Sequence, residues 1–206
     1  SPVAAYRMMR RGCRVHFVHF HSYPHTTVES QEKVRHILRL LSRYQLESHL
    51  HLVPFADLQR AIVAYAPPPL RVVLYRRFMM RIAESLAHRE KAKALVTGDS
   101  LGQVASQTLE NIRTISSVVS LPVFRPLIGD DKEEIIRTAR EIGTYETSIL
   151  ADQDCCPLFI PKHPETMSGI EQAEQAESAL DVPQLVDAAL AGSTHEILEP
   201  DFPAQP

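Results

Sequence analysis

Short apolar runs rich in β-branched and aromatic residues predict four strands along the chain. These runs are residues 14–20 (RVHFVHF), 49–55 (HLHLVPF), 93–98 (KALVTG) and 121–127 (LPVFRPL). Apolar residues at helical spacing fill the segments around them, and the predicted helices cover residues 2–11, 29–44, 57–65, 70–90, 104–118, 130–142 and 168–191, the last as one helix or two. Because strands alternate with helices, the pattern predicts an α/β fold with a doubly wound, mostly parallel sheet.

Turn-forming and capping residues mark the ends of several predicted helices. Gly12 ends the first helix, Asp57 caps the third, and Gly143 follows the helix that ends at Ile142. The last ten residues are rich in proline and acid, and they are predicted to form a flexible end.

Charge divides the 206 residues into two parts. All 22 Lys and Arg lie within residues 1–162, together with 16 of the 25 Asp and Glu, which gives that part a balance of +6. Residues 163–206 hold the other nine acids and no Lys or Arg. A basic body with an acidic tail is compatible with a nucleic-acid partner, while a solvated acidic surface helix explains the tail alone. We predict one α/β domain over residues 1–165 and an acidic helical extension with a flexible tail over residues 166–206.

Three cysteines are too few for a disulfide framework. Cys155 and Cys156 are neighbours, and a disulfide between neighbours is strained, so a reducing cytosolic setting is expected. Cys13, at the start of the first strand, is predicted to be a buried structural cysteine. The chain has no apolar run of membrane-spanning length and no signal peptide in SPVAAYRMMRRG. It begins without an initiator methionine, as a fragment of a longer chain does.

Three segments follow the predicted strand ends or begin a helix, where open parallel sheets bind ligands. Ser1-Pro2 is a good helix start, which either binds a phosphate through free N–H groups or is a plain N-cap. The strand end His19-Phe20-His21 favours an aromatic-lined nucleotide pocket. A metal site is not expected there, because His16 and His19 point to opposite faces of the strand. Residues 97–111 (TGDSLGQVASQTLEN) combine glycines with many amides and hydroxyls, which favours a polar pocket over a capped, solvated helix.

Several of these segments, in this order, resemble the ThiI family of tRNA 4-thiouridine synthetases, also called tRNA uracil sulfurtransferases. The matching segments are SPVAAYRMMRRG, HFHS, ALVTGDSLGQVASQTLENI, FRPLIGDDKEEIIRTAREIGTYE and DCCPLFIPKHP. The resemblance covers the chain from residue 1 to about residue 190. Its most specific segments are TGDSLGQVASQT and RPLIG followed by DKEEII.

The resemblance implies a PP-loop ATP pyrophosphatase fold, which is Rossmann-like and similar to adenine nucleotide α-hydrolases. Family members use ATP and Mg²⁺ to adenylate O4 of uridine 8 in tRNA, and a cysteine persulfide loaded by a cysteine desulfurase then supplies the sulfur. Some members also serve thiamine thiazole synthesis. The resemblance therefore implies tRNA and a cysteine desulfurase as partners, a cytoplasmic location, and it allows a homodimer.

The resemblance also assigns residues to the nucleotide site. These residues are Ser1, His19, Phe20, Arg76, Gly98 and Gln107. Ser1 corresponds to the last residue of the family's Ser-Gly-Gly-x-Asp-Ser loop, and the preceding residues of that loop and its strand are missing from this chain. The family's ferredoxin-like, THUMP and rhodanese domains are missing as well. The chain alone is therefore expected to be inactive, and the alternatives are a nucleotide-binding module without catalysis or a PP-loop ligase acting on a small molecule.

The sulfur carrier implied by the resemblance is one of two adjacent thiols. The family cysteine follows an acidic residue and one further residue, which favours Cys156, whereas an ungapped alignment favours Cys155. Lys162 and His163 could lower the pKa of a nearby thiol. Arg76 is the candidate for offsetting phosphate charge, with Lys132 and Lys162 as weaker ones.

Overall fold

The computed structural model describes residues 1–24, 28–150 and 163–200. Its helices are α1 (Pro2–Met9), α2 (Glu29–Leu41), α3 (Ala56–Tyr65), α4 (Arg71–Arg89), α5 (Leu109–Ser116), α6 (Lys132–Glu141), α7 (Tyr145–Ser148), α8 (Ile170–Glu177) and α9 (Val182–Ala191). Its strands are β1 (His16–His21), β2 (Ser48–Pro54), β3 (Leu95–Val96), β4 (Val123–Phe124) and β5 (Thr194–Leu198). Within the described part, no helix has both the length and the apolarity needed to cross a membrane.

The strands pair mostly in parallel, as the alternation of strands and helices predicts. β1 lies parallel to β2, with His16 opposite His49 and Phe20 opposite Val53, and β3 lies parallel to β4. β5 adds an antiparallel edge to β2. Among the described residues the strands form two sheets, β1-β2-β5 and β3-β4, rather than one. The predicted α/β class and parallel pairing are confirmed.

The helix α4 connects the packing of the two sheets. Leu74, Phe78 and Ile82 on α4 are buried in the core that also holds Phe55 and Val53. Other α4 residues, with Val73 and Met80 among them, are buried in a second core beside β3. A third core covers the opposite face of β1 and β2 and contains residues of α1, α2 and α6. Burial on more than one side explains why α4 is apolar around most of its circumference.

The structure corrects several details of the sequence prediction. Cys13 is exposed in the turn before β1, so its prediction as a buried structural cysteine is wrong. Asp57 lies in the first turn of α3 and does not cap it, because the helix already begins at Ala56. The helix α7 and the strand β5 were not predicted. Ile197 and Leu198 belong to β5, so the prediction of a flexible end is wrong for these two residues.

Two acids of the C-terminal segment form ion pairs with the body of the protein. Glu177 at the end of α8 is 5 % exposed and accepts two hydrogen bonds each from Arg77 and Arg81 of α4, at 2.8–3.0 Å. Glu196 on β5 accepts two from Arg35 of α2, at 2.7 and 2.8 Å. Bidentate pairs of this kind are specific in geometry. Part of the acidic segment therefore packs on the basic body through ion pairs.

Glu177→Gln should destabilise the fold strongly. Arg77 is 1 % exposed, and removing its carboxylate partner leaves a buried guanidinium without a counter-charge, which costs about 3–5 kcal/mol of unfolding free energy. Urea unfolding at neutral pH measures this loss. The control is Glu174→Gln, an exposed residue on the same helix, which should change stability by about 0.5 kcal/mol or less. Equal stability of the two variants would contradict the role of Glu177.

Candidate functional site

The carboxyl ends of β3 and β4 meet the first residue of α1. The backbone N–H of Thr97 donates to the carbonyl of Phe124 at 3.0 Å, which keeps the two strand ends side by side. Gly98 follows and lies directly against Ser1, since a Cβ atom at Gly98 would stand 2.4 Å from the Cβ of Ser1. Only glycine allows this approach. The amino-terminal end of α1 is thereby held at the edge where parallel sheets bind ligands.

Asp99 is the central side chain of this edge. It is 3 % exposed and forms an ion pair with Arg76 from the first half of α4. Its other carboxylate oxygen accepts a hydrogen bond from the Thr97 hydroxyl at 2.7 Å and lies 3.3 Å from Nε of Arg125, just after β4. Gln107 approaches the same carboxylate at 3.5 Å. Asp99 thus joins α4, β3 and β4 at one point.

The carboxyl group of Asp99 stays ionised although it is buried. Burial alone would raise the pKa of Asp99, but the Arg76 guanidinium, the Thr97 hydroxyl and Arg125 outweigh it, so that this pKa lies below its ordinary value. The two guanidinium groups are therefore held in place by a fixed negative charge. Planar cations in fixed positions suit the binding of phosphate oxygens.

A cavity of about 620 Å³ lies between β1 and β3 and opens onto this edge. Four of the predicted nucleotide-site residues line it, and they are Ser1, Phe20, Arg76 and Gly98. Gln107 does not line the cavity and contacts Asp99 instead. Phe20 also packs edge-on against Phe55, with ring centroids 5.3 Å apart, so part of this ring belongs to the core. His19, half-buried at the end of β1, is not among the lining residues.

The polar segment 97–111 serves both the candidate site and the architecture. Ser106 accepts hydrogen bonds from Arg76 through its carbonyl and hydroxyl oxygens, at 3.1 and 3.4 Å. Asn111 is fully buried and donates to the carbonyl of Glu165 at 2.8 Å, while its side-chain oxygen accepts from the N–H and the hydroxyl of Ser168. Thr108 caps α5. The predicted polar pocket therefore accounts for only some of these residues, and Asn111 attaches residues 165–168 to α5.

The predicted sulfur carriers Cys155 and Cys156 lie outside the described residues, as does Lys162. The chain is described again from His163, which is exposed, and the N–H of Glu165 donates to the carbonyl of Pro69 at 2.9 Å. Pro69 precedes α4, whose Arg76 binds Asp99. Lys132 is exposed at the start of α6.

All three arginines of the basic stretch RRFMMR are paired with carboxylates. Arg76 binds Asp99, whereas Arg77 and Arg81 bind Glu177. Exposed basic residues of the other stretch, RMMRR, include Arg10 and Arg11 at the far end of α1 from Ser1. Neither stretch presents a row of unpaired arginines beside the Asp99 edge.

Sequence reasoning missed Asp99 and Arg125 as parts of this edge. Asp99 stands directly after the predicted strand 93–98, but Arg125 lies inside the predicted strand 121–127. In the structure β4 ends at Phe124, so Arg125 follows it. A correct strand end would have placed an acid and a base after two neighbouring parallel strands, which is a signal for a shared site. The assignment of Ser1, His19, Phe20, Arg76, Gly98 and Gln107 to nucleotide binding stays a prediction.

Comparisons of sequence and of structure with known proteins both find similarity to one family. A family model described as "Thiamine biosynthesis protein (ThiI)" matches residues 1–182. A protein of Thermus thermophilus named "Probable tRNA sulfurtransferase" is 53% identical over 206 residues, which are all of this chain and 50% of that protein. A protein of Treponema pallidum with the same name is 50% identical over 189 residues, 91% of this chain and 47% of its own length. The chain spans about half the length of these curated relatives.

A solved structure is also similar to nearly the whole chain. It is a crystal structure of a 4-thiouridine synthetase in complex with RNA and with bound ATP. The TM-score is 0.93 at 43% sequence identity, over 97% of this chain and 52% of that one. This structural similarity agrees with the family relationship found in the sequence comparisons.

The contribution of Asp99 to the free energy of unfolding should decrease at acid pH. Since its pKa is lowered in the folded protein, the stabilisation is complete above the unfolded value of about 4 and is lost as pH falls from there through the folded value. The stability advantage of the wild type over Asp99→Asn should therefore shrink below about pH 4. Denaturant unfolding between pH 6 and about pH 3 measures it. A wild-type advantage that stays constant across this pH range would contradict the low pKa of Asp99.

Proposed function

The chain belongs to the ThiI family, and on this premise we propose that it is the catalytic part of an ATP-dependent tRNA sulfurtransferase that makes 4-thiouridine. The observation that carries the proposal is the similarity of 97% of the chain to a 4-thiouridine synthetase bound to ATP and RNA. The relatives named as tRNA sulfurtransferases support it. The clustered charges at the Asp99 edge supply chemistry that such a reaction requires.

ATP binds at the Asp99 edge in this proposal. The phosphates lie at the amino-terminal end of α1 near Ser1, where free N–H groups and the helix dipole favour anions. Arg76 and Arg125, positioned by Asp99, face the phosphate charge. Gly98 leaves room for the nucleotide and for Ser1 at the same point. Phe20, on the cavity wall, contributes an aromatic surface to the pocket, with His19 beside it.

Mg²⁺ enters with ATP rather than through a protein cage. Both oxygens of Asp99 are already bound by arginines and Thr97, and in the described residues no carboxylate cluster adjoins them. Mg²⁺ commonly keeps several waters and binds substrate phosphates. The ion would offset charge on the phosphates and leave Asp99 free to hold the guanidinium groups.

The reaction we propose has two steps. O4 of uridine 8 attacks the α-phosphorus of ATP, pyrophosphate leaves, and the poor carbonyl leaving group becomes an adenylate. The outer sulfur of a cysteine persulfide then bonds to C4 while the C4–O bond breaks and AMP leaves. A second thiol then attacks the sulfur of the carrier cysteine in the remaining S–S bond. It forms a disulfide with that cysteine, and the sulfur on C4 is released as the thiocarbonyl of 4-thiouridine. Fixed cations stabilise the charge that develops on the phosphates in the first step.

The persulfide in this proposal is carried by Cys156, with Cys155 as the alternative, and a cysteine desulfurase loads it. The described residues that follow this segment contact two other parts of the chain. The N–H of Glu165 donates to the carbonyl of Pro69, just before α4, and the carbonyl of Glu165 accepts from Asn111 of α5. We further propose a cytoplasmic location, a supply of sulfur for thiamine thiazole synthesis, and a homodimer as the assembly.

The domain division is part of the same proposal. Residues 1–165 would form the PP-loop domain, and residues 166–206 its acidic extension. The family's strand before the phosphate loop would lie in the cavity between β1 and β3, whose walls are largely apolar. Each of these two strands is already paired in parallel with a strand on its other side, β1 with β2 and β3 with β4. Such a strand would join the two sheets and end beside Ser1, which completes the phosphate loop.

ATP binding should require a residue without a side chain at position 98. In Gly98→Ala the new methyl group meets the Cβ of Ser1 at 2.4 Å. Displacing the start of α1 costs about 1–3 kcal/mol, and the same loss in binding free energy corresponds to an ATP affinity roughly 5- to 150-fold lower. Calorimetric titration of the complete protein with ATP and Mg²⁺ measures the change.

The matched control is Gly129→Ala, where a Cβ meets nothing within 4 Å. This variant should bind ATP as the wild type does. An unchanged affinity in Gly98→Ala would contradict the placement of the phosphates beside Ser1, and no ATP binding by the wild type would contradict the proposed function.

The sulfur transfer is tested in a strain that lacks 4-thiouridine. The complete protein should restore 4-thiouridine in tRNA, measured by nucleoside mass spectrometry. Cys156→Ser should abolish it, because a hydroxyl group cannot carry a persulfide, whereas Cys13→Ser should not. If Cys155→Ser and Cys156→Ser both leave thiolation intact, the carrier role is wrong. If the wild type makes no 4-thiouridine, the proposed function is wrong.

A further inference from the structure

Four histidines gather at the amino ends of β1 and β2, away from the Asp99 edge. His16 of β1 and His51 of β2 lie on the same face of the sheet, together with His49 and His195 of the neighbouring positions. The rings form a stacked group, with centroids 4.6 Å apart for His16 and His49 and 4.6 Å apart for His51 and His195. Glu90, at the end of α4, faces this group.

Three of these side chains point ligand atoms at one place. Nδ1 of His16 lies 3.4 Å from one carboxylate oxygen of Glu90, and Nε2 of His51 lies 3.4 Å from the other. One ligand atom from each of His16, His51 and Glu90 falls within 4.8 Å of the others. With metal–ligand bonds of about 2.0–2.1 Å, the ligand atoms of a tetrahedral zinc site lie about 3.3–3.4 Å apart. The ligand nitrogens of His16 and His51 would therefore need to move only slightly closer together to bind one ion.

The two ring nitrogens are also left unsatisfied. Nδ1 of His16 and Nε2 of His51 are both buried atoms that make no hydrogen bond, since their approach to Glu90 lacks hydrogen-bond geometry. Buried polar atoms of this kind are rare and call for a partner. A metal ion between the three side chains would satisfy both nitrogens and the carboxylate at once.

We propose that His16, His51 and Glu90 bind a divalent transition-metal ion of the zinc type. Two imidazoles and one carboxylate are ligands that suit Zn²⁺, and three protein ligands leave the fourth position to water. The site would attach the end of α4 to the amino ends of β1 and β2. All three side chains also line the cavity between β1 and β3.

This site is separate from the one proposed for ATP. Arg76 and Glu90 are fourteen positions apart along α4 and its cap, which at 1.5 Å per residue is about 20 Å. The metal would therefore not contact the nucleotide. The interpretation that competes with a metal is a metal-free stack of imidazole rings beside Glu90. The positive charge of Arg14, which contacts Nε2 of His49 at 3.1 Å, repels a bound cation and lowers its affinity. The measured metal affinity therefore decides between the two interpretations.

The first test is titration of the EDTA-treated complete protein with Zn²⁺, measured by calorimetry, and with Co²⁺, measured by visible absorption. We expect one equivalent to bind with four-coordinate cobalt bands that lack thiolate charge transfer. Glu90→Gln and His16→Gln should each weaken that binding more than about 100-fold, since even indirect partners of a ligand are worth 10–100-fold. The cap of α4 at Glu90 uses its backbone N–H, so the side-chain change spares the helix end.

The matched control is His36→Gln, an exposed histidine on α2, which should bind the metal as the wild type does. Zn²⁺ should also raise the unfolding temperature of the wild type and of His36→Gln, but not of Glu90→Gln. Absence of binding by the wild type would overturn the proposal. Binding that persists undiminished in both Glu90→Gln and His16→Gln would overturn it as well.

Discussion

A buried carboxylate, Asp99, is the constraint on which the candidate site depends. It follows a strand only two residues long, and it binds Arg76 from α4 and Arg125 from the end of β4. Taking a charge out of water is costly unless partners surround it, so the three elements are held together as long as Asp99 stays ionised. The arrangement positions two cations at the strand ends before any ligand arrives, which reduces the cost of ordering them on binding.

The helix α4 extends this organisation through the molecule. Its side chains reach the Asp99 edge through Arg76, the C-terminal helix α8 through Arg77 and Arg81, and the histidine group through Glu90 at its end. The charge asymmetry of the sequence has a structural counterpart here and at Arg35, since acids of the C-terminal segment neutralise arginines of the basic body. Basic residues counted in the sequence are thus not all available to a nucleic acid.

Periodicity predicted most helices and the parallel pairing, because these depend on local patterns of apolar residues. It did not predict β5, whose side chains are mostly exposed and whose pairing with β2 is a contact distant in sequence. It also did not predict the exposure of Cys13 or the division into two sheets. The role of Asp99 and the approach of His16, His51 and Glu90 depend on residues from separate elements, which a linear pattern does not bring together. The strand pattern also indicated the segments that hold Ser1, His19 and Phe20, and residues 97–111. Arg76 and the choice of sulfur residues came from the family resemblance.

We propose above that this fold activates uridine in tRNA as an adenylate. The most direct measurement incubates the complete protein with Mg²⁺ and a tRNA transcript, without a sulfur donor, and with ATP labelled at the α- or the γ-phosphate. We expect the α-label to appear on the tRNA while the γ-label leaves as pyrophosphate. Transfer of the γ-label to the tRNA, or no α-label on it, would contradict the proposed adenylation.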